Sequence, residues 1–78
     1  MDRKQTLIDY IKKEIMHNAN AKLNEEEDLL SAGILDSLGI LQLVAFIDQT
    51  FGIEVPDEDV VYENFNSVKA LVDYLSKY

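Results

Sequence analysis

The sequence contains no cysteine, and this absence removes several kinds of chemistry at once. Disulfide bridges, thiolate metal sites and a cysteine nucleophile all require that residue. Long apolar runs are missing as well, since no window approaches the roughly 18 apolar residues that a membrane-spanning helix needs. The first residues, Met1 to Tyr10, are charged and lack the apolar stretch of a signal peptide. We therefore predict a cytoplasmic protein with no membrane partner.

Basic residues are scarce, and acidic residues dominate the charge. Seven lysines and arginines stand against fifteen aspartates and glutamates, which gives a formal net charge of −8 at pH 7. Because nucleic-acid binding depends on basic side chains that neutralise phosphates, this balance argues against nucleic acid as a ligand. Basic protein surfaces are better partners, although the charge could also serve only to keep a small protein in solution. Hydrophobic residues make up 47% of the chain, enough for the core of one domain over residues 1–78.

An amphipathic helix is predicted near the N-terminus, because apolar residues recur there at spacings of three and four. They are Leu7, Ile8, Ile11 and Ile15. The helix should end between His17 and Asn20, where asparagine tolerates the left-handed backbone of a helix exit. A long connection without any sustained period follows over residues 21–36. Its leucines are expected to hold it on the core, because loops of this length are rarely left free.

Two further stretches show helical spacing. One spans residues 36–51 and is stopped by Gly52, and the other begins with Asn66 or Ser67 as its cap. Between them, a brief helical turn is predicted over residues 57–61. No segment alternates as a strand would. The sequence therefore predicts an all-α fold, a small four-helix bundle of three longer helices and one short helix, with a long loop between the first and second helices.

Ser37 stands at the predicted N-terminus of the middle helix. Either Asp36 or Ser37 can cap that helix through a side-chain oxygen. Backbone N–H groups in the first turn of a helix have no intrahelical acceptor, and with the helix dipole they favour an anion at this place. A serine that carries a phosphodiester would suit the position. In most proteins, however, a serine or aspartate before an apolar helix is only a cap.

The run from Gly33 to Phe51 resembles the attachment region of acyl and peptidyl carrier proteins. It begins Gly-Ile-Leu-Asp-Ser-Leu-Gly, and Phe-Gly-Ile-Glu-Val-Pro follows at residues 51–56, in the order and spacing of that family. The resemblance extends from about Leu7 to the C-terminus. It implies that Ser37 carries 4′-phosphopantetheine covalently and is not a catalytic residue.

The resemblance also implies roles for neighbouring residues and partners. Asp36 would cap the helix and help an incoming enzyme to orient the serine, and Leu38 would anchor the helix start while offering apolar contact. A phosphopantetheinyl transferase would attach the arm, whose thiol would hold acyl or aminoacyl groups for a loading ligase and downstream synthase enzymes. The carrier is expected to be a monomer. Gly39 is either kept for close approach of the arm or a partner, or is simply a tolerated exposed glycine.

The outward face of the middle helix is predicted to meet these partners. Its outward positions are mostly apolar or neutral, whereas fatty-acid carriers usually present several acidic residues there. An apolar face is more like that of nonribosomal-peptide or polyketide carriers, which favours those pathways over fatty acid synthesis. Some of the apolar residues could instead pack under the preceding loop. The predicted partner-binding residues are Ile40, Leu41, Ala45, Asp48 and Val61.

Three other functions can be compared with this hypothesis. An acidic helical interaction module without a prosthetic group would share the fold and charge, and would differ only in leaving Ser37 unmodified. An enzyme would need Ser37 as a nucleophile, but the sequence lacks the first glycine of a Gly-x-Ser-x-Gly elbow. The only histidine, His17, is explained better by solvation or by the helix dipole than by a role as a base. The positions after residues 57–59 lack the oxygen ligand, glycine and glutamate that a calcium loop requires, so no metal site is predicted. No catalytic residue is predicted either.

Overall fold

The computed structural model describes residues 2–78, and over this range the chain forms four α-helices and no β-strand. The elements are α1 (Arg3–Tyr10) with a π-helical extension (Ile11–Ile15), α2 (Ser37–Phe51), a 3-10 turn (Asp57–Asp59), α3 (Tyr62–Phe65) and α4 (Val68–Leu75). None of these helices is long and apolar enough to cross a membrane. The predicted all-α bundle, with its long loop between the first and second helices, is confirmed.

The first helix closes in a wide turn. The Met16 N–H donates to the Ile11 carbonyl at 2.8 Å, five residues back, which is the π-helical spacing. His17 then adopts a left-handed backbone with φ of 55°, and the helix ends there. This exit lies at the start of the predicted interval. Its left-handed residue is histidine and not the expected asparagine, although histidine also visits this region more often than most residues.

The long connection is held on the core by its leucines, as predicted. Leu29 is 0% exposed and Leu35 is 2% exposed. Two backbone hydrogen bonds also tie the connection to the region where α4 begins: the Leu29 N–H donates to the Asn66 carbonyl at 2.7 Å, and the Lys69 N–H donates to the Glu25 carbonyl at 2.8 Å. Further apolar residues of the connection pack against the core in partly buried positions, namely Leu23, Leu30 and Ile34. The chain therefore reaches the start of α2 from an anchored segment.

Asp28 orders the part of the connection that faces α3. One carboxylate oxygen accepts hydrogen bonds from the backbone N–H groups of Leu30 and Ser31 at 3.1 and 3.0 Å, and the other accepts from the hydroxyl of Tyr62. The Ser31 N–H in the first place, and the Tyr62 hydroxyl in the second, hold the pKa of Asp28 below its usual range. These bonds link α3 to the loop that leads into α2.

The segment after α2 departs from the prediction in one respect. Gly52 ends α2 in the left-handed conformation with φ of 69°, as expected. The single brief turn predicted over residues 57–61 is replaced by a 3-10 turn at Asp57–Asp59 and a separate helix at Tyr62–Phe65. Phe65 is the only buried residue of that short helix. With one buried position, α3 has no apolar period from which it could have been predicted.

One cluster of buried side chains joins all four helices. The spacing of four residues between Leu43, Ile47 and Phe51 predicts a buried stripe on α2, and this is confirmed for Leu43 and Ile47, which are both 0% exposed. Phe51 is only partly buried, and the guanidinium of Arg3 covers one face of its ring at 5.6 Å from the centroid. The cluster consists of Leu7, Ile11, Leu29, Leu35, Leu43, Ile47, Ile53, Val55, Phe65, Val68, Leu71, Tyr74 and Leu75. It fixes which side of α2 faces inward and which side faces solvent.

Candidate functional site

Ser37 is the first residue of α2, and it is exposed. The residue before it supplies the cap: Asp36 Oδ1 accepts a hydrogen bond from the Gly39 N–H at 2.8 Å. The Asp36 carbonyl also accepts from the Ile40 N–H at 2.8 Å, which closes the first turn. Of the two predicted capping residues, the aspartate is therefore the one that caps α2. The Ser37 hydroxyl is left out of the cap.

The chain has four serines, and the structure separates Ser37 from the other three. Ser67 is 7% exposed, and its hydroxyl oxygen caps α4. Ser76 donates its hydroxyl to a backbone carbonyl at 2.6 Å. Ser31 is exposed, but it lies in a turn of the long connection. Ser37 therefore combines an exposed side chain with the first position of a 15-residue helix.

The first turn of α2 suits a negatively charged group. The N–H groups of Ser37 and Leu38 precede the Gly39 N–H, which is the one that the Asp36 side chain occupies. Such leading N–H groups lack intrahelical acceptors, and the dipole of a long helix adds a partial positive charge at the same end. A phosphodiester on Ser37 would lie at this end, as anions do at other helix N-termini. The residues present therefore fit a serine-linked phosphate, although the nearby Asp36 carboxylate would repel it.

A polar cleft of about 340 Å³ opens beside this turn. Glu14 and His17 line it from the first helix, and Asp36 and Gly39 line it from α2. The sequence pattern does not indicate that His17 lies near the start of α2, because a long aperiodic stretch separates them. We expected His17 to be solvated or to interact with the dipole of the first helix. It is exposed, and it also faces the cleft.

Gly39 allows the chain to pack closely beneath the cap. A Cβ atom at this position would come within 3.0 Å of Leu35 Cδ1, 3.4 Å of Asp36 Oδ1 and 3.9 Å of Ile15 Cγ2. Leu35 is itself buried, so it has little room to give way. Gly39 is buried, which corrects the alternative of a tolerated exposed glycine. Its close neighbour in the structure is the Leu35 side chain, and the close approach of an arm or a partner stays a prediction.

The start of α2 presents leucines to solvent. Leu38 is 65% exposed and Leu41 is 66% exposed. Leu38 was predicted both to anchor the helix start and to offer apolar contact, but a side chain this exposed can do only the second. Two leucines of this exposure close to Ser37 are costly to leave in water unless a partner covers them.

The remaining predicted partner-binding residues differ in exposure. Ala45 and Asp48 are exposed on α2, and Val61 is 41% exposed just before α3. Ile40 is only partly buried and packs against the core cluster. One alternative was that some of these apolar residues pack inward and do not face a partner. Ile40 does so in part, because its side chain contributes to the interior as well as to the surface.

Known proteins resemble this chain in both sequence and fold. Residues 5–75 match the protein family described as "Phosphopantetheine attachment site". The chain belongs to this family. Its members bear 4′-phosphopantetheine covalently on a serine and act as carriers, not as enzymes. The protein is accordingly a carrier protein with a covalent 4′-phosphopantetheine, as the resemblance implied.

The relatives of this carrier match it over nearly their whole length. The D-alanyl carrier protein of Streptococcus suis (strain 98HAH33) is 32% identical over 72 residues, which cover 92% of this chain and 89% of the relative. The D-alanyl carrier protein of Streptococcus equi subsp. zooepidemicus (strain MGCS10565) is 33% identical with the same coverage. A solved structure described as "Crystal structure of FAD-dependent dehydrogenase" contains a similar chain, with a TM-score of 0.80 and 32% identity. That match covers 88% of this carrier and 97% of the other chain.

The cap can be tested by replacing Asp36. Asp36→Ala removes the acceptor of the Gly39 N–H, and we expect it to lower the free energy of unfolding by about 1 kcal/mol. Asp36→Asn keeps a side-chain oxygen and should stay close to the wild type, because asparagine caps helices about as well as aspartate. Urea unfolding of the two variants measures the difference. An equal loss in both would show that the carboxylate charge matters here and the cap does not.

Proposed function

We propose that this chain is a discrete aminoacyl carrier whose 4′-phosphopantetheine is attached at Ser37. The observation that carries the proposal is the state of the Ser37 hydroxyl, which is exposed at the N-terminus of α2 and free of any capping role. The other three serines lack this combination, being buried, hydrogen-bonded to the backbone or placed in a loop turn. When bound, the prosthetic group supplies a terminal thiol that holds cargo as a thioester on a flexible tether.

The residues around Ser37 then hold the attachment point in place. Asp36 keeps the first turn of α2 closed by its hydrogen bond to the Gly39 N–H, so the hydroxyl stays available to a transferase. The leading N–H groups of Ser37 and Leu38 offset the negative charge of a phosphodiester on the serine. The exposed side chain of Leu38 offers the transferase apolar contact beside the hydroxyl. Attachment therefore needs no rearrangement of the helix.

Two observations support an amino acid, and not a fatty acid, as the cargo. The outward face of α2 has Leu41 and Ala45 where an acidic face would carry carboxylates, and Asp48 is the only charge on the helix. The relatives named above are D-alanyl carrier proteins. D-alanine is therefore the first cargo to test. Nonribosomal-peptide pathways use the same aminoacyl chemistry. We infer that the partners are a phosphopantetheinyl transferase, an aminoacyl-loading ligase and a downstream enzyme that accepts the amino acid. We also infer that the carrier is a monomer and that these enzymes act on it in the cytoplasm.

Attachment can be tested with the purified protein. Incubation with coenzyme A and a broad-specificity phosphopantetheinyl transferase should add the mass of one arm, and peptide mapping should locate it on Ser37. Absence of any adduct on the folded protein with several transferases would favour the acidic interaction module. An adduct on a different serine would leave the carrier function standing and overturn the assignment of Ser37.

The cargo class needs a separate measurement. The holo protein isolated from its own host at mildly acidic pH, where thioesters are preserved, should carry a mass increment that hydroxylamine removes. Chromatography of the released group on a chiral column should identify an amino acid, with D-alanine as the expected one. Release of a fatty or polyketide acyl group would contradict the aminoacyl proposal.

The apolar face of α2 yields a prediction about partners. Leu41→Glu should slow loading by the ligase more than tenfold, because covering a leucine is worth about 1.5–3 kcal/mol and each 1.4 kcal/mol is about tenfold. The melting temperature should change little, since Leu41 is 66% exposed. Gln42→Glu is the matched control, because it adds the same charge at the adjacent exposed position, about 100° around the helix. Equal slowing in both variants would point to net charge and not to the leucine.

A further inference from the structure

Tyr74 of α4 makes a buried hydrogen bond to the 3-10 turn. Its side chain is 4% exposed, and its hydroxyl donates to Asp59 Oδ2 at 2.6 Å. Burial in the first place, and the hydrogen bond to Asp59 in the second, raise the pKa of Tyr74 above its usual range. The phenol therefore remains a donor at physiological pH, and a hydrogen bond from such a donor to a carboxylate is among the stronger ones in proteins.

Asp59 connects this bond to the residues that begin α3. Its carbonyl accepts the Val61 N–H and the side-chain amide of Asn64, both at 2.9 Å. The Val61 carbonyl in turn accepts the N–H groups of Asn64 and Phe65 at 3.1 and 3.2 Å. Because valine has no side-chain oxygen with which to cap a helix, the start of α3 is held through Asp59 instead.

The start of α3 is exposed and borders the connection that leads to Ser37. Val61 is 41% exposed and Tyr62 is 51% exposed. The Tyr62 hydroxyl donates to Asp28, and the carbonyl of the residue after Asp28 accepts the Leu35 N–H at 3.0 Å, two residues before Ser37. A protein that reaches Ser37 along this connection therefore meets the start of α3.

We propose that Tyr74 is a positioning residue for partner contact. Through Asp59, it holds the exposed start of α3 where an enzyme that acts on Ser37 touches the domain. The inference rests on the proposed attachment at Ser37 and on Val61 as a partner-binding residue. Tyr74 is itself buried, so it acts without touching the partner. Loss of its bond lets the start of α3 open locally, and the apparent affinity of the partner falls with the fraction of molecules in the held form.

Tyr74→Phe tests the proposal, because it removes the hydroxyl and keeps the buried ring. The reaction is arm attachment by a broad-specificity phosphopantetheinyl transferase with coenzyme A. We expect KM for the carrier to rise about two- to tenfold, the factor that one net hydrogen bond is worth, while kcat stays unchanged. Hydrogen–deuterium exchange should become faster at the N–H groups of Val61, Asn64 and Phe65. The Leu71 N–H, which bonds inside α4, should keep its rate.

Ser67→Ala separates positioning from a general loss of stability. It removes the side-chain oxygen that accepts the Ala70 N–H at 3.0 Å, so it weakens α4 without touching the bond to Asp59. Its melting temperature should fall by a similar amount to that of Tyr74→Phe, while KM should match that of the wild type. An equal rise of KM in both variants would overturn the proposal, as would an unchanged KM in Tyr74→Phe.

Asp59→Ala removes the same bond from its other side. The Tyr74 hydroxyl then keeps the Tyr78 hydroxyl, 3.3 Å away, as a partner. If the two residues act through one bond, the double variant with Tyr74→Phe should raise KM no further than Asp59→Ala does alone, whereas multiplied effects would contradict the proposal. Failure of the arm to attach to the wild type would instead contradict the proposed function. The exchange measurement does not depend on the arm, so the two failures are distinguishable.

Discussion

Ser37→Ala is expected to take up no phosphopantetheine, whatever the transferase. The variant removes the only hydroxyl that the described structure places both in solvent and at the N-terminus of a long helix. Intact-mass analysis after incubation with coenzyme A and a transferase measures the effect directly. The melting temperature should remain close to that of the wild type, because Ser37 is exposed and Asp36 supplies the cap. A folded variant without an arm would therefore show that the Ser37 hydroxyl is needed for attachment, and that the loss is not caused by unfolding.

Ser31→Ala is the matched control for this variant. Ser31 is also exposed and lies six residues before Ser37, in a turn of the long connection. It should be dispensable for attachment of the arm. Retention of a full adduct in Ser37→Ala would contradict the assignment, and loss of the adduct in Ser31→Ala would show that the long connection takes part in transferase recognition. The comparison also excludes a general effect of removing a hydroxyl.

The features that the sequence predicted well are those set by neighbouring residues. A cap at Asp36 or Ser37, the stop at Gly52 and the buried pair Leu43 and Ile47 each follow from residue types a few positions apart. Such signals need no knowledge of the tertiary fold. They suffice to place Ser37 at an exposed helix start, whereas its assignment as the attachment residue depends on the resemblance to carrier proteins and stays a prediction.

The features that the sequence did not predict depend on segments far apart in the chain. Leu38 is exposed and Gly39 is buried because Leu35 and Ile15 occupy one side of the first turn of α2, and no local pattern encodes that arrangement. The position of His17 beside the same turn is likewise a consequence of how the first helix packs. Periodicity describes one helix at a time, so it cannot show which side chains meet across a cleft.

The two sides of α2 have separate tasks. The inner side, through Leu43 and Ile47, is fixed in the core, and the outer side presents Leu41 one helical turn after Ser37. Because the inner side is fully buried, the helix cannot rotate to hide its outer leucine without exposing core residues. The apolar outer face is thus a stable property of the folded domain. This arrangement explains how a small acidic protein can keep apolar side chains exposed to water.

Phe65→Ala is expected to be the most destabilising single substitution considered. Phe65 is 0% exposed and is the only buried residue of the four-residue α3, which is too short to persist without tertiary contacts. Truncating a buried phenylalanine costs about 3–5 kcal/mol, whereas a domain of this size has a total stability of roughly 4–12 kcal/mol. The melting temperature should fall by about 12 °C or more, as measured by circular dichroism.

Glu63→Ala makes a matched change in the same helix at an exposed position, and it should alter the free energy of unfolding by less than about 0.5 kcal/mol. Phe65→Leu keeps most of the buried volume and should lose less than half as much stability as Phe65→Ala. If Phe65→Ala and Glu63→Ala were equally mild, α3 would not be anchored through the core. The hydrogen bonds from Tyr62 to Asp28 and from Asn64 to the Asp59 carbonyl would then have to hold that helix, although a single hydrogen bond contributes little.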